Sequence, residues 1–135
     1  MAEPRWVERL VVEAVHLDQL REHGGLSGLR DENALESALA RPRQQWHYEK
    51  TRDLPGLAAA YGFGLCRNHP YRDGNKRLAF VVMAVFLELN GLLLEAGEEE
   101  VVTVMLALAD ARLTENGLTK WLQAHVRKRK GRGAV

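Results

Sequence analysis

From Leu54 to Leu89 the chain reads LPGLAAAYGFGLCRNHPYRDGNKRLAFVVMAVFLEL. Two apolar blocks, each about four helical turns long, flank the polar stretch His69–Asn75. Asp53 is placed to cap the first block, Pro55 suits its opening turn, and His69-Pro70 ends it near Asn68. Ala58-Ala59-Ala60, Gly62 and Gly64 predict close packing against another helix, because glycine inside a helix otherwise costs about 1 kcal/mol. The second block, Lys76–Leu89, is apolar on nearly every side from Leu78 to Leu87. That pattern predicts a helix at the centre of the domain, with Asn90-Gly91 as its left-handed stop.

Outward from this pair, Val11, Val12, Val15 and Leu20 predict a helix that Gly24-Gly25 stops near His23. Trp6–Val12 reads equally as a short strand or as the start of that helix. Asp31 caps a helix running through Leu35, Ala38 and Leu39, which Pro42 is expected to end. Residues 43–53 carry no helical stripe and read as an exposed flap, or a small hairpin. Glu98-Glu99-Glu100 marks the start of a helix to Asp110, and Thr114 caps a last one reaching Arg127. The predicted class is all-α, about six helices with a small β-hairpin flap. Residues 1–126 form one domain and 127–135 a basic, disordered tail.

Composition agrees with a single soluble domain. The 135 residues are 46% apolar and 27% charged, which excludes disordered and collagen-like chains. Lys plus Arg is 19 against 18 Asp plus Glu. Five of the cations fall between Arg127 and Arg132, so residues 1–126 carry 14 basic against 18 acidic side chains, a net of −4. A mildly acidic body argues against a domain that grips nucleic acid over a whole face. The one cysteine, Cys66, excludes an internal disulfide framework and fits a cytosolic protein. Met1–Trp6 lacks a signal-peptide pattern, and Leu78–Leu87 is about half a bilayer span. The five histidines form no HExxH or Cys/His pairing of a zinc site.

One segment breaks a local rule. Lys76 and Arg77 occupy the first turn of the second block, where free N–H groups already carry roughly +0.5 of an elementary charge. Two cations there cost stability unless something negative sits at the site. With Asp73, Gly74 and Asn75 just before them, the stretch reads as an oxyanion or phosphate cradle. One carboxylate beside such a cradle suits a hard divalent ion like Mg²⁺. His69, at the end of the preceding helix, is placed to take a proton from an incoming hydroxyl. The same residues also read as a turn, a helix cap and two solvated cations, and spacing alone leaves both readings open.

The nine residues His69-Pro70-Tyr71-Arg72-Asp73-Gly74-Asn75-Lys76-Arg77 resemble the Fic/Doc signature H-x-F-x-[DE]-[AG]-N-x-R. Lys76 in place of glycine resembles the death-on-curing (Doc) toxin branch, as does the upstream glycine-rich loop His23–Asp31. The resemblance implies His69 as general base, Asp73 as Mg²⁺ ligand, Gly74 and Asn75 as anion hole, and Lys76 and Arg77 as phosphate-binding cations. Tyr71 departs from the family's Phe and leaves a hydroxyl needing a partner. The Doc resemblance further implies a kinase-like toxin that moves phosphoryl from ATP to a Ser/Thr hydroxyl of elongation factor Tu and halts translation. Fic-type AMP transfer and a non-catalytic regulatory module are the alternatives. The self-inhibitory motif [ST]-x-x-x-E-[GN] is not present, since Gly28 precedes Glu32-Asn33 and Ala111 precedes Glu115-Asn116 by four positions. A small, Phd-like antitoxin docking near the active site is therefore expected as a partner.

Overall fold

Small residues decide what lies at the centre. In the computed structural model, which describes residues 2–130, helix α3 (Leu54–Asn68) has eleven of its fifteen residues buried. It packs against α2 (Glu32–His47), α4 (Asn75–Leu89), α5 (Glu98–Ala109) and α6 (Glu115–His125). Alanines and glycines on several sides let neighbours approach from several directions. Helix α4 buries only seven residues and leaves Phe80, Val81 and Val85 half-covered. The expectation that the second apolar block is central is thus corrected: the first one is.

A Cβ on Gly64 would stand 3.1 Å from both Cα and Cβ of Ala38 on α2. The α2 backbone there cannot yield without moving the helix. Gly64→Val is expected to cost about 2 kcal/mol through overpacking, read as a lower denaturation midpoint with an unchanged m-value. Cys66 is fully buried in the same helix, and burial pushes its thiol up, with Lys76 and Arg67 pulling weakly the other way.

Helix ends follow local chemistry. Asp31 accepts from Ala34 N–H at 3.0 Å, Asp53 from Gly56 N–H at 3.1 Å, and Thr114 from Gly117 N–H at 3.0 Å. The N-terminal segment stays non-helical through Glu8, and α1 (Arg9–His23) begins at Arg9, which resolves the strand-or-helix ambiguity. Tyr61 pins that segment by accepting the Val7 N–H at 2.9 Å.

Three expectations are corrected. Helix α2 does not stop at Pro42 but runs on to His47 with the proline buried inside it. The lost N–H and the ring clash of an internal proline are offset by packing: Leu35, Ala38, Pro42 and Trp46 form one buried stripe. The Arg52 guanidinium lies over the Trp46 ring, 3.8 Å from its centroid, and donates to the Trp46 carbonyl at 2.8 Å. Residues 43–53 consequently contain no strand; only 48–53 form a loop. The two-stranded sheet lies elsewhere: β1 (Leu92–Leu94) and β2 (Val126–Lys128) pair antiparallel, Leu93 opposite Arg127, across the intervening α5 and α6. The last helix therefore ends at His125, and Arg127 and Lys128 belong to this sheet and not to a disordered tail. Arg127 pairs with Glu95, and the Arg129 N–H bonds the Gly91 carbonyl at 2.8 Å. The rest of the expected tail, 131–135, lies outside the described residues.

Candidate active site at the α3–α4 junction

His69 is the C-cap of α3 and adopts a left-handed backbone, φ 47° and ψ 58°. A non-glycine residue there costs roughly 1–3 kcal/mol unless its surroundings hold it. Here they do. The Arg30 Nε donates to the His69 carbonyl at 2.6 Å and its Nη2 to the Asn68 carbonyl at 2.8 Å. The N–H groups of Arg30 and Asp31 both reach the Pro70 carbonyl, at 2.8 and 3.0 Å. A single β-bridge, Leu29 to Tyr71, continues the seam, with Arg72 N–H on Gly28 C=O at 3.0 Å. The imidazole of His69 itself is exposed.

The next turn is closed by Asn75. Its Oδ1 accepts the Tyr71 N–H at 3.0 Å and its Nδ2 donates to the Tyr71 carbonyl at 2.9 Å. The side chain is buried and both its polar atoms are committed to Tyr71. What Asn75 can offer a ligand in the expected anion hole is therefore its backbone N–H. Gly74, at φ 77°, is the N-cap of α4, and no side chain caps the helix. The first intrahelical bond runs from Leu78 N–H to Gly74 C=O at 2.9 Å, so the N–H groups of Asn75, Lys76 and Arg77 stand ahead of it. Lys76 and Arg77 are exposed, with no acid in that turn. The Arg77 Nη2 reaches only a long contact, 3.4 Å, to the Gly24 carbonyl.

Asp73 faces the glycine-rich loop. Its Oδ2 accepts the Leu26 N–H at 3.2 Å, and Oδ1 accepts the Gly74 N–H at 3.1 Å. A Cβ at Gly25 would sit 3.1 Å from Asp73 Oδ2, at φ 123°, so only glycine fits comfortably between loop and carboxylate. Each oxygen keeps lone-pair capacity for a cation. Among the described residues no group of three or more His, Cys, Asp and Glu side chains converges. An all-protein metal cage is thus not built here, whereas one carboxylate fits Mg²⁺ carried by nucleotide phosphates.

Two further side chains support the loop from beneath, and sequence reasoning missed the part of one of them, His16. It lies on the inward face of α1, buried at 2% exposure. Its ring stacks on Tyr71, centroids 3.8 Å apart, and its Nε2 lies 2.8 Å from the Asp73 carbonyl, so Nε2 carries the proton and donates. The available signal was position: His16 follows the buried Val12 by one helical turn, and these two are the buried residues of α1. The Tyr71 hydroxyl is buried with no partner among the described residues, and burial pushes its phenol up. Tyr71→Phe deletes an unsatisfied group and is expected to raise stability by about 1 kcal/mol, measured as a higher urea midpoint.

The structure thus brings together His69, Asp73, Gly74, Lys76 and Arg77 on one surface cradle, with Asn75 as its internal staple. A cleft lined by Arg5, Val85, Glu88, Leu89 and Arg129 lies at the opposite end of α4 and contains none of them. Compared with known proteins, residues 6–87 match the family model described as the Fic/DOC family, more than half of the chain. The chain belongs to the Fic/Doc family. It is 33% identical over 78 residues to "Protein kinase doc" of Escherichia phage P1, covering 58% of this chain and 62% of that protein. It is 39% identical over 74 residues to "Toxin Doc" of Mycolicibacterium smegmatis, covering 54% and 57%. The matches therefore span less than two thirds of either relative's length. The Fic/Doc match ends at Leu87, two residues before α4 does, so β1, α5, α6 and β2 lie outside it. Among the described residues no helix is long and apolar enough to cross a membrane.

Proposed function

We propose that this Fic/Doc chain is the toxin of a toxin–antitoxin pair and transfers the γ-phosphoryl group of ATP to a Ser/Thr hydroxyl of a translation factor, elongation factor Tu or one like it. The observation carrying the proposal is the uncapped start of α4, where three backbone N–H groups and two exposed cations await negative charge. A nucleotide polyphosphate supplies that charge, and the helix dipole then favours it.

The chemistry follows from placement. The N–H groups of Asn75, Lys76 and Arg77, with the two side-chain cations, hold the phosphate oxygens and stabilise charge that builds during transfer. The imidazole of His69, in its neutral form, accepts the proton of the incoming hydroxyl as oxygen attacks the γ-phosphorus; the bond to the bridging oxygen breaks and ADP leaves. Asp73 would hold Mg²⁺ delivered with the nucleotide, and that ion would supply neutralising charge on the phosphates. The names of the relatives, a protein kinase and a toxin, support the phosphoryl-transfer reading. With no internal inhibitory motif in the sequence, restraint falls to a separate partner, and a short Phd-like antitoxin fits that part.

The deciding experiment incubates the chain with Mg²⁺, elongation factor Tu and ATP labelled at either the γ or the α position. Label arriving from γ alone is expected. Label from α alone replaces the proposal with AMP transfer, and no transfer from antitoxin-free protein indicates a binding module.

A further inference from the structure

We infer that Arg30 is a positioning residue for His69, fixing the left-handed turn that aims its imidazole. The inference rests on the reading of His69 as the base. Arg30 lies 39 positions before His69, just ahead of Asp31, the N-cap of α2. Its guanidinium nonetheless spans two successive carbonyls, Asn68 at 2.8 Å and His69 at 2.6 Å. These are the end groups of α3, which lack intrahelical donors and sit at the negative pole of the helix. A planar fork with donors at fixed spacing meets two carbonyls at once, which the single ammonium of lysine cannot reproduce.

The fork is itself anchored. Its own backbone N–H bonds Pro70 C=O at 2.8 Å, and the following residue, Asp31, both bonds that carbonyl and caps α2. Arg30 therefore reaches His69 from a fixed base, its backbone held on the Pro70 carbonyl while its side chain holds those of Asn68 and His69. With the fork removed, His69 keeps only the tether through Pro70, and its backbone is free to leave the strained basin at φ 47°. The phosphate-holding groups belong to α4 and do not touch Arg30. Loss of the fork should consequently slow the chemical step without weakening nucleotide binding. The residue is exposed, so its removal leaves the core intact.

The test has two arms on the full chain. In the first, isotope-labelled protein is examined by NMR for the His69 HN–Hα coupling and its Cα and Cβ shifts. The wild-type chain and Arg30→Lys, Arg30→Gln and Arg30→Ala variants are compared. The left-handed signature is expected in the wild type, weakened in Lys and Gln, and lost in Ala. In the second, transfer from γ-labelled ATP to elongation factor Tu is followed. Arg30→Ala is expected to lower kcat on the order of 10²-fold, the scale of a misplaced catalytic group, with KM for ATP within about two-fold of wild type. Arg30→Lys, which keeps the charge, should restore little of it. A left-handed His69 persisting in Arg30→Ala, a wild type without that signature, or an unchanged kcat overturns the inference. If Arg30→Ala does not fold, Arg30→Gln carries the same readouts. Should the wild type transfer nothing, the proposed function fails, while the NMR arm still decides whether Arg30 positions His69.

Discussion

His69→Ala is expected to lower phosphoryl transfer by about 10²–10⁴-fold, the usual contribution of a positioned general base, while nucleotide binding stays at its wild-type level. The separation follows from where each group sits. The imidazole is exposed at the exit of α3, and the anion-holding N–H groups and cations open α4. Stability should change little, because the residue is exposed and among the described residues the imidazole of His69 makes no hydrogen bond. Single-turnover transfer from γ-labelled ATP measures the first quantity and calorimetric titration of ATP the second. Expression of the variant should no longer arrest growth. A variant that transfers phosphoryl at the wild-type rate would remove His69 from the part assigned to it.

His16→Ala has the second large effect, and here the loss is in the fold. The substitution deletes a buried ring from under Tyr71 and strips the Asp73 carbonyl of its 2.8 Å donor. Cavity and lost hydrogen bond together should cost about 3 kcal/mol. For a chain of this size that corresponds to roughly 10–15 °C in Tm. His16→Gln, which retains a donor but not the stacking surface, should fall between the two. Unfolding by urea, followed by circular dichroism, gives the ordering. Equal stabilities for wild type and alanine would mean that the loop stands without its support.

How much of this was legible in the sequence divides along a physical line. Features set within one helical turn were readable. Asp31, Asp53 and Thr114 cap at three-residue spacing, and the rule-breaking cations Lys76 and Arg77 mark the start of α4. Features set by distant packing were not. Pro42 stays in α2 because a stripe from Leu35 to Trp46 buries itself, a gain invisible to a local breaker rule. The three-residue strand Val126–Lys128 pairs with Leu92–Leu94, 32 to 36 positions upstream, and carries too little pattern to announce itself. At the site, the motif residues were legible as a set, whereas their division of labour was not. The amide of Asn75 turns inward to staple Tyr71, and His16 and Arg30 hold the loop from other helices or their margins.

The solitary thiol at Cys66 has a practical use. It is sealed inside the helix that ends at His69, and the chain has no other cysteine to compete for reagent. The pace at which an alkylating probe captures it therefore times the breathing of the middle of the molecule. A nucleotide or an inhibitor that quiets those openings can be screened by mass alone, on unmodified protein.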